Sequence, residues 1–189
     1  PNGLQAESPK ARRLFRTLAR RPEVTLAYVS GRHLTLLQEA IREYQVPVPD
    51  YFIGDVGTTI YEIGARGWNI WEAWNREIAP DWRGLSGDDL HRFLADLSDL
   101  ERQEPEKQNA FKLSYYAPAD IDSDGLVAAA RERLEAQSIR ASVIWSVDES
   151  EGIGLLDVLP ARASKLHAIG FLMYSKGFSE ERTVFAGDS

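Results

Sequence analysis

Val24-Thr25-Leu26-Ala27-Tyr28-Val29 runs into Ser30-Gly31-Arg32 and then into Leu34, Leu37, Ile41 and Tyr44, and the order of these three pieces decides the fold. The first is short, mostly apolar and partly β-branched, which predicts a strand buried on both faces, as in a parallel sheet. The last recurs at helical spacing and is closed by Pro47 and Pro49, which predicts a helix. Strand, tight turn and helix in succession are the unit from which a helix-covered parallel sheet is built.

Upstream, Ser8-Pro9 reads as an N-cap followed by proline at the first helical position, and Leu14 and Leu18 extend a helix over 9–20. Downstream, Tyr51-Phe-Ile53 predicts a second short strand and Gly54-Asp-Val-Gly57 a turn. Thr58 to Tyr61 and Trp68 to Trp71 flank Gly64 and Gly67, which predicts a hairpin. The middle reads differently. Ser86 caps a helix carrying Leu90, Phe93, Leu94 and Leu97, followed by a polar linker over 101–107. Phe111-Lys-Leu-Ser-Tyr-Tyr116 alternates like a half-exposed strand, and a helix over 123–136 and a strand over 141–146 follow. From Leu155 the parallel-sheet pattern returns as a strand over 155–159, a helix over 163–173 and a strand over 183–186. The expected fold is α/β: a doubly wound Rossmann-like parallel-sheet core over 1–75 and 155–189, carrying an inserted α+β cap over 76–154.

Composition narrows the function. The 189 residues carry a formal net charge of −7, and an acidic chain repels polyanions, which argues against a nucleic-acid groove but leaves room for a small phosphorylated substrate. The absence of cysteine excludes disulfides and thiolate metal sites. No stretch approaches the roughly 20 apolar residues of a membrane span, and Pro1-Asn-Gly-Leu-Gln has no signal-peptide character. A cytoplasmic location is the default expectation.

Three candidate sites lie at ends of predicted strands or starts of helices, where ligands gather in open α/β sheets. Ser30-Gly31-Arg32 offers a hydroxyl, a glycine that lets the backbone approach, and fresh helix N–H groups, a phosphate cradle. Taken alone, the tripeptide is more simply an N-capping serine. Lys165 opens a helix, where the macrodipole disfavours a cation, so holding a phosphate is one benefit that would place it there. Asp188 follows a predicted strand in Phe-Ala-Gly-Asp-Ser, a position that suits a hard metal such as Mg²⁺, or an ordinary turn aspartate.

The order strand–Ser-Gly-Arg, inserted domain, helix lysine, strand–Gly-Asp-Ser resembles motifs two to four of the haloacid-dehalogenase-like phosphatases. The detail is similar to sucrose-phosphate phosphatases and related sugar phosphatases with the type-two α/β cap, through Tyr-Val-Ser-Gly-Arg, Val-Gly-Thr-Thr-Ile-Tyr, Gln-Asn-Ala-Phe-Lys-Leu-Ser-Tyr-Tyr, Leu-Asp-Val-Leu-Pro-Ala-Arg-Ala-Ser-Lys and Val-Phe-Ala-Gly-Asp-Ser. Motif two usually carries threonine where this chain has Ser30, a swap that keeps the hydroxyl. The resemblance implies a Mg²⁺-dependent phosphatase acting on a sugar phosphate, foremost sucrose 6-phosphate, through an aspartyl-phosphate intermediate. It implies catalytic roles for Ser30, Lys165 and Asp188, phosphate binding by Ser30, Gly31, Arg32 and Lys165, Mg²⁺ binding by Asp188, and sugar contact by Gln108, Asn109 and Lys112. Motif one, with the nucleophilic aspartate, and the second aspartate of motif four are not in the sequence, so these residues alone are expected to be unstable and inactive. The partner expected is a small sugar phosphate, with no nucleic acid and no membrane.

Alternatives stay open: a non-catalytic sugar-phosphate-binding domain, fusion to or association with a sugar-phosphate synthase, or a substrate such as mannosylphosphoglycerate or another phosphorylated glycoside. Gln108 and Asn109 could simply end the linker, and Lys112 could be a solvated strand residue. Asp157 either faces the cleft or caps a strand end. Trp68, Trp71, Trp74, Trp82 and Trp145 are read as core packing before sugar stacking.

Overall fold

The computed structural model describes residues 8–187. Two four-stranded sheets organise the chain. The first has the order β1 (Ala27–Val29), β2 (Tyr51–Gly54), β3 (Thr59–Gly64), β4 (Gly67–Ile70). β1 and β2 are parallel, joined through helix α2 (Leu34–Tyr44), whereas β2, β3 and β4 are antiparallel neighbours. The fold is thus an α/β Rossmann-like core with a cap, and its first sheet is mixed rather than wholly parallel.

β1 is shorter and more exposed than its sequence predicts, with Ala27 exposed and Tyr28 and Val29 only partly covered. The Leu26 N–H donates to the Asp50 carboxylate at 2.8 Å, which ends the ladder early. Among the described residues β1 pairs with β2 alone. Helix α1 (Pro9–Ala19) starts as predicted, with Ser8 capping the Ala11 N–H and Pro9 at its first position. Leu14 and Leu18 stay exposed. The segment 183–186, predicted as a buried strand, is unpaired and open, with Val184 91% and Phe185 67% exposed. It finds no strand neighbour among the described residues, and an unpaired extended segment is not a strand.

The second sheet has the order β5 (Glu101–Arg102), β6 (Leu113–Pro118), β8 (Ile153–Pro160), β7 (Ala141–Asp148), all antiparallel. The stretch 155–159, expected to re-enter the core sheet, instead lies in the middle of this one, Leu156 facing Tyr115 on one side and Trp145 on the other. Its continuous apolar run reflects burial between two neighbours, which a parallel and an antiparallel sheet both provide. The expected division at 154/155 thus falls inside β8, which runs unbroken from Ile153 to Pro160. Helices α4 (Gly87–Leu94) and α5 (Ser123–Ala136) cover one face, where Leu90, Leu94, Leu126, Ala130 and Leu134 bury Leu113, Tyr115, Leu156 and Val158. Ser86 opens α4 with a reciprocal capping box to Asp89. β6 is not half-exposed either. Ser114 on the opposite face is fully buried, and Lys112, just before the strand, is 9% exposed.

The five tryptophans are packed. Trp74 and Trp82 are fully buried, Trp68 meets Phe52 edge-on, Trp71 meets Phe171, and Trp145 lies so tightly on Gly154 that no Cβ would fit there. No helix among the described residues is long and apolar enough to cross a membrane.

The two sheets are joined by helix α3 (Glu72–Ile78) with its continuation to Trp82, and by the turn from β8 into helix α6 (Lys165–Lys176). Asp81 ties these crossings together. Fully buried, it pairs with Arg140 and Arg162 and accepts the Arg162 backbone N–H at 2.8 Å. Arg162 also reaches Glu77 at 3.0 Å. Removing one partner of a buried charge leaves it under-compensated. Arg162→Met is expected to cost about 3 kcal/mol, read from urea unfolding, and adding Asp81→Asn should recover much of it. Additive losses in the double variant would argue against the pairing.

Candidate functional site

Ser30 leaves β1 still in register, its N–H donating to Ile53 O at 2.9 Å. Its Oγ accepts the Arg32 N–H at 3.2 Å, so the serine folds a two-residue turn, and His33 takes the cap position of α2. Ser30 is therefore not the N-cap, and its hydroxyl hydrogen stays available. Arg32 O accepts the Asp55 N–H at 3.0 Å, which stitches this turn to the one after β2. Gly31 and Arg32 are exposed, and the Arg32 guanidinium has no partner among the described residues. A Cβ on Gly31 would meet only Val56 at 3.9 Å, so glycine there serves backbone access rather than space.

The second turn is strained. Asp55, Val56 and Gly57 have φ of 51°, 62° and 102°, and a β-branched residue in the left-handed region is a genuine outlier. Gly57 explains the path. A Cβ on it would lie 2.5 Å from Ser164 C and 2.6 Å from Lys165 N, so the turn lies flat on the first turn of α6. The fully buried Trp74 secures it from behind, its Nε1–H shared between Gly57 O and Thr58 O, each at 3.2 Å. Ser164 caps α6 through the His167 N–H at 3.1 Å, which places Lys165 at the first helical position. Lys165 is exposed and has no partner among the described residues, an ammonium facing the positive end of a helix with nothing to offset it.

The cap-side residues reach the same turn. Asn109 donates from Nδ2 to Thr58 Oγ1 at 3.0 Å and Thr59 Oγ1 at 3.4 Å, and its Oδ1 accepts the Phe111 N–H. Gln108 is committed elsewhere. Its amide donates to Gln103 O and Ser114 O, both at 2.9 Å, and accepts the Ser114 N–H at 2.8 Å, which makes it a brace on β6. Lys112 donates to Lys107 O at 3.1 Å and sits 3.5 Å from Asp157, which also takes the Ser114 hydroxyl. A cavity of about 440 Å³ opens beside Asn109, lined also by Ser86, Asp88 and Arg102, and includes neither Ser30 nor Lys165.

Two acidic residues enter this region that motif reading did not select. Asp157 lies within β8, opposite Ser114, whose hydroxyl it accepts, and 3.5 Å from Lys112. Asp55, only 6% exposed, was legible only as a turn residue. Burial pushes its carboxyl above the usual range, partly offset by Lys112, the Thr59 hydroxyl, His33 and Asn109. Asp188 lies outside the described residues. Among the described residues no three His, Asp or Glu side chains gather around one point.

The profile of the sucrose-6F-phosphate phosphohydrolase family matches residues 3–189. The chain belongs to that family. It is 58% identical over its whole length to a Nitrosococcus oceani protein named no further than HAD-like hydrolase, of which it covers 51%. It is 29% identical over 173 residues to sucrose-phosphatase 1 of Nicotiana tabacum, covering 87% of this chain and 37% of that protein. The chain thus spans about half or less of these relatives. The sucrose-phosphatase of Synechocystis sp. PCC6803, solved with sucrose and phosphate, superposes with a TM-score of 0.69 at 24% identity over 92% of this chain and 67% of that one, which supports the shared fold.

Two variants probe the turn. Gly57→Ala forces a Cβ into the α6 backbone and should cost at least about 2 kcal/mol, read from denaturant unfolding; a change under 0.5 kcal/mol would mean that the turn does not rest on α6. For Asp55 the sign follows from its raised value. The folded state binds the proton more tightly than the unfolded chain, so the stabilisation is full below about 3.9 and is lost as pH rises through the folded value. Asp55→Asn should remove that loss, leaving the variant more stable than the native sequence at neutral pH. Parallel stability curves from pH 4 to 8 would count against the assignment.

Proposed function

We propose that the full-length protein containing this chain hydrolyses a phosphate monoester of a sugar, foremost sucrose 6-phosphate, releasing orthophosphate. One observation carries the reading: the Ser30–Arg32 turn and the first turn of α6 both pack on the turn 55–57, which brings Arg32 and Lys165, neither with a partner among the described residues, and the Ser30 hydroxyl to one region of the chain. Family membership supports the phosphatase class, and the tobacco relative supports the sucrose choice.

In this reading the Ser30 hydroxyl and the Gly31 N–H donate to the phosphoryl oxygens, and Lys165 neutralises charge that grows on them as the ester bond breaks. Fixed donors aimed at developing charge are the largest single contribution in such transfers. Arg32 stays with the phosphate. Asn109 and Lys112 face the leaving group, with Gln108 holding β6 behind them. Mg²⁺ and Asp188 belong to the proposal through the family resemblance only, and the attacking carboxylate is not among the described residues.

The test is phosphate release from sucrose 6-phosphate by the full-length protein, assayed with Mg²⁺ beside a panel of phosphorylated glycosides. Turnover is expected, falling at least about 100-fold in Lys165→Ala, and stopping when the metal is chelated. Turnover of another glycoside phosphate alone would discard sucrose and keep the chemistry. A folded protein that releases phosphate from none of them would discard the phosphatase reading in favour of a binding domain.

A further inference from the structure

A second cavity, of about 290 Å³, opens where α5 turns into β7, and neither Ser30 nor Lys165 lines it. Its apolar wall is Leu134 and Ile139, both buried, with Ala141 and Ala161; Arg131, Arg140 and Glu135 line it as well. Arg140 is held from below. Its Nη2 pairs with the fully buried Asp81, yet the side chain as a whole stays 63% exposed. Its main chain is pinned on both sides, the N–H donating to Asp81 O at 3.0 Å and the O accepting the Ala161 N–H at 3.1 Å. Arg131 is fixed in a similar way, its Nη2 donating to Val143 O at 3.1 Å. Each guanidinium keeps its Nε and Nη1 without a hydrogen-bond partner among the described residues. Two guanidinium groups against the Glu135 carboxylate leave a single positive charge on the wall. The end of α5 opposes it little, because Leu134 O takes the Gln137 and Ile139 N–H groups and Glu135 O takes that of Ser138 at 2.7 Å.

We propose that this cavity is a binding site for a small organic monocarboxylate, with its carboxylate on Arg131 and Arg140 and its carbon skeleton on Leu134 and Ile139. Guanidinium groups fixed by other contacts lose little freedom on binding, and their forked donors match a carboxylate. A monoanion balances the one positive charge, and the apolar wall gives a carbon skeleton surface to cover that a bare inorganic ion would leave wet. The site does not rest on the phosphatase reading, since its residues are separate from the Ser30–Lys165 region.

Isovalerate and isovaleramide are a matched pair of probes, alike in shape and differing in charge. In the full-length protein, isovalerate is expected to shift the NMR amide signals of Ala141 and Ala161 saturably, and isovaleramide is expected to leave them in place. Arg131→Gln and Arg140→Gln should each raise the half-saturating isovalerate concentration by about tenfold. Arg140→Gln also removes a partner of the buried Asp81, so if that variant does not fold, Arg131→Gln decides, because it gives up a single bond to Val143 O. No saturable shift at these amides overturns the proposal. So does an equal response to isovaleramide, which would mean an apolar hollow without charge recognition, or a half-saturation unchanged in folded Arg131→Gln. Inorganic phosphate at matched ionic strength is the last arm: saturation by phosphate and not by isovalerate would overturn the carboxylate assignment, and saturation by isovalerate alone upholds it.

Discussion

The close approach of the Gly57 backbone to the Ser164–Lys165 peptide is the constraint on which the rest of the site depends. No side chain fits between them. The turn after β2 must therefore run left-handed for three residues, and that path presents the Asp55 N–H to Arg32 O and turns the Thr58 and Thr59 hydroxyls toward Asn109. Three segments far apart in sequence, the Ser30–Arg32 turn, the helix start with its lysine and the cap loop, are thereby held by one short stretch of main chain. A turn of this kind is costly in backbone strain, and it persists only where surrounding contacts over-determine it. Trp74 supplies the most direct of those contacts, closing two carbonyl groups that would otherwise be buried without partners.

The same logic extends outward to the junction between the sheets. His167, whose N–H is capped by Ser164, also bonds Arg162 O through Nδ1 at 2.8 Å and meets the Trp74 ring edge-on. Arg162 in turn reaches Glu77 and Asp81. The buried charge cluster therefore bears on the placement of Lys165 through two intermediates, and on the turn 55–58 through Trp74. The cap's position and the placement of Lys165 are set by one connected group of side chains rather than by two separate ones.

Much of this was legible in the sequence where a single segment decides its own structure. Pro9 after Ser8, the helical spacing of Leu34, Leu37 and Ile41, the Gly64–Gly67 hairpin and the helix over 123–136 all act locally. Sheet membership did not read so well. The apolar run at 155–159 encodes burial on both sides, which is the same signal in either sheet, and only its pairing with β6 and β7 places it. The segment 183–186 carries the residues of a strand without a neighbour to pair with among the described residues. That Ser30 follows a strand and that Lys165 opens a helix were legible, because each position is decided by its own segment. Asp55 was not, because an aspartate between two glycines is an ordinary turn residue until its burial and its distant neighbours are known.

Charge is distributed between the Ser30–Lys165 region and the cap in a way that the net −7 of the chain conceals. Arg32 and Lys165 are exposed and have no partner among the described residues, whereas Lys112 lies 3.5 Å from Asp157, and Lys107 is matched by Glu104 at 3.3 Å and the Tyr116 hydroxyl. A site that needed only to attract an anion would gain nothing from neutralising the second set. Under the proposed function, the asymmetry suits a substrate that is anionic at one end and neutral, hydroxyl-rich at the other. It also orients such a molecule before any specific hydrogen bond forms, since a dianionic phosphate drawn to the cationic end leaves only the uncharged part to settle against the cap. Paired charges on the cap side still hydrogen-bond to hydroxyl groups through their unused lone pairs and protons, so neutralising Lys112 removes long-range attraction while preserving short-range recognition.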